Sequence, residues 1–165
     1  MLHFVRNLNE ALILFLGIAY AYQGVYTLIG LWLRWREQKR PQARLHKYAA
    51  VISARNEENV IGDLIASLKA QRYPAELLDV YVIADNCTDH TAEAAQAAGA
   101  TVFRRFNRQE VGKGYALDWF FDRLCKEHQD YDGYFVFDAD NIVDPNFVAE
   151  MNRTFDSGKY DALTS

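Results

Sequence analysis

A chain of 165 residues, half of them hydrophobic, has material for one ordinary core with an appendage. Its two cysteines, Cys87 and Cys125, are too few for a disulfide framework and too far apart for a zinc knuckle, which points to a reducing compartment. The net charge of −4 is unevenly spread: residues 1–47 hold seven Lys or Arg against two Glu, and residues 48–165 hold eleven against twenty Asp or Glu. The acidic body therefore argues against a nucleic-acid surface, while the basic end suits anionic membrane lipids.

The first element is apolar. From Ala11 to Leu33 there are twenty-three residues without a charge, and as a helix such a run spans ~34 Å against a hydrocarbon core of about 30 Å. A secretory signal is the competing reading, since Arg6 precedes the run and Ala19-Tyr20-Ala21 has small residues at a cleavage-like spacing. The run continues twelve residues past that point and ends in a basic stop, which favours a membrane anchor. After Leu33 come Arg34, Arg36, Lys39, Arg40, Arg44 and Lys47 against Glu37, so the following chain is expected on the cytoplasmic side. The expected layout is an anchor over 1–35, a basic linker over 36–47 containing Pro41, and an α/β domain over 48–165.

Beyond the linker, strands and helices alternate. Tyr48 to Ser53 is a short apolar run, and Val60, Ile61, Leu64, Ile65 and Leu68 recur at helical spacing until Pro74. Val80 to Ala84 reads as the second strand. Asp89 then caps an Ala-rich helix ending at Gly99, and Thr101 to Phe103 forms a third strand. Ala116, Leu117, Phe120, Phe121 and Leu124 make the next helical stripe, and Gly133 to Phe137 the fourth strand. A last helix is expected to open at Asp144-Pro145 and close near Gly158. In open parallel sheets ligands sit beyond the carboxyl ends of the strands, so the residues after each strand carry the functional information.

Four polar clusters stand there. Ala54-Arg55-Asn56-Glu57-Glu58 follows the first strand and lacks the G-x-G-x-x-G of a dinucleotide fold; read alone, its carboxylates merely open a helix. After the second strand, Asp85 is placed to accept a hydrogen bond from a pyrimidine ring N–H, with Thr88 and Asp89 as turn and cap residues and His90 solvated. Gly112-Lys113-Gly114 opens backbone N–H groups at a helix start, a place where a diphosphate can meet Lys113, although a flexible loop with a solvated lysine explains the same residues. Asp138-Ala139-Asp140 directly follows the fourth strand, and two carboxylates separated by one small residue suit a hard divalent cation with sites left for water and phosphate oxygens.

In this order and at these intervals, the clusters resemble the GT-A fold of family 2 glycosyltransferases over residues 48–165. The resemblance implies a Rossmann-like half-domain that binds a nucleotide-diphospho-sugar, with a UDP-sugar favoured on that ground alone. It places Ala54, Glu57 and Asp85 in the nucleoside pocket, Lys113 near the diphosphate, and Asp138 with Asp140 as a DxD element for Mg or Mn. Asp140 would be the direct metal ligand, with Asp138 nearer the ribose and the metal's water shell. The metal would neutralise the departing nucleoside diphosphate while an acceptor hydroxyl attacks the anomeric carbon. The family's base and its Q-x-x-R-W element lie later in the domain, so no base is assigned here. The chain is expected to be a donor-binding half, inactive alone, with Asp144, Asp156 and Asp161 serving as caps and surface charge. Two other readings stand beside this one: a membrane-anchored non-catalytic nucleotide-binding module, and a sugar nucleotidyltransferase, against which the non-glycine first turn counts.

Overall fold

The computed structural model describes residues 2–37, 43–126, 130–160 and 162. They fall into two compact units, Met1–Gln42 and Ala43–Ser165. The first is a single helix, α1 (Leu2–Glu37), whose described side chains are exposed throughout. Within it His3–Trp35 is long and apolar enough to cross a membrane. The helix runs further than the uncharged segment at both ends, because Arg6 and Glu10 form an i,i+4 pair at 3.9 Å and suit the solvated end of a continuous helix. The Lys39-Arg40-Pro41 part of the expected linker lies outside the described residues.

The second unit is a parallel sheet of four strands, β1 (Tyr48–Ala54), β2 (Leu78–Asp85), β3 (Thr101–Arg105) and β4 (Gly133–Asp138), in the order β3-β2-β1-β4. In register, Ile52 lies opposite Val82 on one side and Phe137 on the other. Such strands are buried on both faces, which is why β1 reads as an unbroken apolar run and not as an alternation. Ala50, Ile52 and Ala54 meet α2 (Ile61–Lys69) and α3 (Thr91–Ala97), with Phe147 of α5 (Phe147–Asp156) in the same layer. Ala49 and Val51 face the opposite way, onto Ala116, Phe120 and Leu124 of α4 (Lys113–Lys126). Ile61, Leu64, Ile65 and Leu68 put one stripe of α2 fully inside, each such burial contributing ~1.5–3 kcal/mol. Gly99 adopts φ +88° and ends α3: its N–H donates to Gln96 O at 2.9 Å and Ala100 N–H to Ala95 O at 3.1 Å, a geometry costly for any residue with a Cβ.

The last helix begins at Phe147, two residues beyond the expected Pro145. Pro145 O accepts the Arg72 N–H at 2.7 Å and Asp144 Oδ1 accepts the Asn146 N–H at 2.8 Å, so residues 144–146 form a turn tied to the end of α2 before the helix can start. β2 also starts earlier than expected, because Leu78 pairs with Tyr48. The chain builds outward from β1 to β2 to β3 and then crosses to β4 on the other flank of β1. The reversal opens a crevice beyond the carboxyl ends of β1 and β4.

At the opposite end of the sheet Gly133 approaches Tyr48 so closely that a Cβ would lie 3.0 Å from the ring. That ring is held by a hydrogen bond to Asn152 Oδ1 at 3.0 Å and by the neighbouring rings of Phe135 and Phe155, and has little room to give. Gly133→Ala should therefore destabilise the unit by about 1–2 kcal/mol, as overpacked sites do. Thermal unfolding checks this, with an unchanged midpoint as the contrary result.

Candidate functional site

At the carboxyl ends of β1 and β2 the two following loops are joined by a set of hydrogen bonds. Asn56 Oδ1 accepts the Thr88 N–H at 2.8 Å, Glu57 N–H donates to Thr91 Oγ1 at 2.8 Å, Glu58 N–H donates to Asp89 Oδ2 at 3.2 Å, and Glu58 Oε2 accepts the His90 N–H at 2.9 Å. Asn56 and Asn86 carry the left-handed backbone of these turns, φ 58° and 52°, a conformation asparagine tolerates better than most residues. Asp89 Oδ1 in turn takes the N–H and hydroxyl of Thr91. Partial burial pushes the Asp89 carboxyl up, but the bonds from Thr91 and from Glu58 N–H outweigh it and hold the group below the ordinary carboxylate range. The Asn-Glu-Glu cluster, which alone reads as a helix start, thus fastens one strand-end loop to the next. Glu57 also offers its carbonyl to the N–H groups of Val60 and Ile61, which sets the entry to α2.

Ala54 closes β1 in the core, and its carbonyl accepts the Cys87 thiol at 3.5 Å. Asp85 closes β2 and is buried with Arg105, the last residue of β3, its Oδ1 2.8 Å from the guanidinium; the two side chains are 5% and 3% exposed. Arg105 also donates to Glu110 O at 2.9 Å, while its Nε is buried without a hydrogen-bond partner. Asn86 Nδ2 donates to Asp85 Oδ1 at 3.0 Å and its Oδ1 accepts the Asn107 N–H at 3.0 Å, closing the group. Sequence reading missed Arg105. The available signal was that a carboxylate at the end of a buried parallel strand needs a cation from an adjacent strand.

The third group stands beyond β4. Lys113, first residue of α4, places Nζ 2.5 Å from Asp138 Oδ1. Asp138 ends β4 opposite Ser53 of β1, Ala139 turns into the core and is 6% exposed, and Asp140 is exposed again. A side chain larger than Ala139 would have to displace the core residues it packs against, so the small middle residue lets both carboxylates face out. Asn141 N–H donates to Asp138 O at 3.2 Å, which folds the three residues into a turn. Beside Lys113, residues Val111, Gly112, Gly114, Tyr115 and Asp118 line an open hollow of about 440 Å³.

The structure therefore joins Lys113 to Asp138, with Asp140 two residues on, and brings Ala54 and Asp85 to the ends of adjacent strands. Glu57 sits in the loop that follows Ala54. Among the described residues no group of three His, Cys, Asp or Glu is placed to hold a metal by itself. Two outward carboxylates at a strand end still match a magnesium-type ion, which keeps several waters and takes phosphate oxygens with only one or two carboxylates.

The chain is similar to known enzymes of sugar transfer. The chain is 31% identical over 118 residues to a beta-monoglucosyldiacylglycerol synthase of Synechocystis sp., covering 68% of this chain and 24% of that protein. It is 48% identical over 52 residues to a 4,4'-diaponeurosporenoate glycosyltransferase of Staphylococcus aureus, covering 32% of this chain and 13% of that protein. The chain thus spans about a quarter or less of the length of these relatives. Among solved structures, the Mycobacterium tuberculosis glucosyl-3-phosphoglycerate synthase in complex with UDP superposes with a TM-score of 0.53 at 26% identity, over 73% of this chain and 47% of that one. The sheet with its helices is the GT-A fold of those enzymes. Residues 46–165 match the family described as "Glycosyltransferase like family 2", and the chain belongs to glycosyltransferase family 2.

Proposed function

We propose that this chain holds the donor side of a membrane-anchored glycosyltransferase that takes a sugar from a nucleotide-diphospho-sugar, a UDP-sugar, with Mg or Mn. The reading rests above all on one juxtaposition, Lys113 on Asp138 with Asp140 beside it at the mouth of the crevice. In this reading Ala54, Glu57 and Asp85 hold the nucleoside and Arg105 orients the Asp85 side chain. Lys113 leaves Asp138 for the diphosphate when donor arrives. Asp140 would be the direct metal ligand, with Asp138 nearer the ribose and the metal's water shell. The bound ion supplies positive charge against the leaving diphosphate. The base that takes the acceptor's proton is assigned to none of these residues. Nor is the sugar assigned, whether hexosyl or N-acetylhexosaminyl.

The anchor reading rests on the length and apolar character of α1, and the basic residues after it place the sheet unit on the cytoplasmic side in this proposal. The diacylglycerol in the name of the Synechocystis relative, a beta-monoglucosyldiacylglycerol synthase, favours an apolar acceptor at a membrane. Displacement of a fluorescent UDP analogue from the full chain in detergent with Mn tests the donor class. UDP and UDP-sugars should compete at least ~10-fold better than ADP, about the 1.4 kcal/mol that one well-placed hydrogen bond to the base provides. Equal competition by ADP would overturn the uridine assignment. A non-catalytic binding module would pass this test and fail transfer assays with the longer protein.

A further inference from the structure

Residues Arg44 to Lys47, assigned to the linker on sequence grounds, are fastened to the end of the sheet farthest from the crevice. Arg44 N–H donates to Asp156 Oδ2 at 3.1 Å and Arg44 O accepts Asn152 Nδ2 at 2.9 Å. His46 O accepts the Tyr73 hydroxyl at 2.6 Å, and Lys47 N–H donates to Asp132 Oδ2 at 2.8 Å. Asn152 is buried on α5 and its Oδ1 gathers the hydroxyls of Tyr48 and Tyr73, both at 3.0 Å. The His46 ring lies in the middle, 13% exposed, edge-on to Phe155 at 5.1 Å. Its Nε2 is 3.0 Å from Asp156 Oδ1, and its Nδ1 is buried, without a hydrogen bond, 3.5 Å from Asp132 Oδ2.

A neutral imidazole carries one N–H and one lone pair. With the proton on Nε2, the buried lone pair of Nδ1 would face a carboxylate. With it on Nδ1, the contact to Asp156 would lose its donor. Only the imidazolium presents a donor to both carboxylates. We propose that His46 is the pin of a charge-operated clasp, closed while His46 is protonated and Asp132 and Asp156 are ionised, which decides whether residues 44–47 belong to the folded unit or to the connection with α1. Opening adds four residues to that connection, ~14 Å of reach.

The other charged and titratable groups facing the ring are Tyr48 of β1, Tyr73 after α2, and Arg44 and Lys47 of the clasped segment. Burial raises both tyrosine hydroxyls, which keeps them neutral donors. For Asp132 the Lys47 N–H lowers the carboxyl most, burial opposes it, and the charge of His46 adds to the lowering. For Asp156 the His46 hydrogen bond comes first and the Arg44 N–H next. Both carboxyls are thereby held below their ordinary value. Because their pKa values are depressed in the folded state, their contribution is present above that value and is lost as pH falls through the lower one. On the alkaline side the geometry decides: a ring that keeps only one N–H leaves one of the two carboxylates without a donor. The clasp is therefore tightest in mildly acidic solution and loosens in both directions.

Hydrogen exchange of the full chain in lipid nanodiscs, corrected for the intrinsic pH dependence of exchange, tests this between pH 3 and 9. The amides of His46 and Lys47 should exchange at least threefold faster at pH 8.5 than at pH 5.5, and faster again at pH 3, while those of Val51 and Ile52 in β1 stay protected at the two higher values. Equal protection at pH 5.5 and 8.5 overturns the proposal without any variant. His46→Gln should show the fast value at both of these pH values. If it keeps the wild-type profile with β1 protected, His46 is not the pin. If β1 protection is lost, Asp156→Asn replaces it as the test and should likewise abolish the difference.

Discussion

Replacing Asp140 by Asn should weaken Mn-dependent UDP binding by at least ~100-fold while leaving the fold intact. Altered partners of metal ligands alone cost about 10–100-fold in affinity, so removing a ligand's own charge should reach or exceed the upper end. The amide keeps the shape of the side chain but not the charge that offsets partial dehydration of a small divalent ion. Asp140 is exposed, so the substitution strands no buried partner and should hardly move the unfolding temperature. Asp138→Asn should cost less, because its charge is matched by Lys113 in the donor-free protein and losing it also frees that lysine for the diphosphate. Asp144→Asn serves as the control, since its carboxylate is occupied in the turn before α5. Electron paramagnetic resonance of free Mn in the presence of UDP reads all three. Equal affinity for wild type and Asp140→Asn would remove Asp140 from the metal site.

Arg105→Ala should be the most damaging single change in the sheet unit. It leaves the Asp85 side chain, 5% exposed, without its cation, and breaking a buried pair in this way typically costs ~3–5 kcal/mol. For a unit of this size that corresponds to a loss of more than ~10 °C in unfolding temperature. Stability and nucleotide binding would fall together, so the single variant cannot separate the two roles. Asp85→Leu combined with Arg105→Met can, because buried ion pairs are often replaceable by apolar side chains at little cost. The double variant should regain most of the stability and still fail to bind UDP. Recovery of binding along with stability would mean that Asp85 only holds the fold.

The sheet was legible in the sequence because parallel strands covered on both faces are continuous apolar runs, and β1 and β2 read as such. Pro74 and Gly99 marked breaks that the structure keeps. The start of α5 was misplaced because Pro145, a good first-turn residue by local rules, has its carbonyl committed to Arg72, more than seventy residues away. The position of Asp138-Ala139-Asp140 directly after β4 was readable because it depends on adjacent residues alone. The pairing of Asp85 with Arg105 was not, since it depends on the register of β2 against β3. For the same reason the loop-to-loop bonds of Asn56 and Glu58 looked like the start of a helix, and His46 looked like part of a charged linker: their partners lie on other elements.

In the proposed function the exposed carboxylate pair and Lys113 form one site for a metal-bound nucleoside diphosphate. Titration calorimetry of UDP into the full chain in detergent, once with Mn and once with a chelator, tests it most directly. Saturable binding is expected with Mn, and a loss of at least ~30-fold with the chelator, about 2 kcal/mol. Binding of equal strength in both, or none in either, would contradict it.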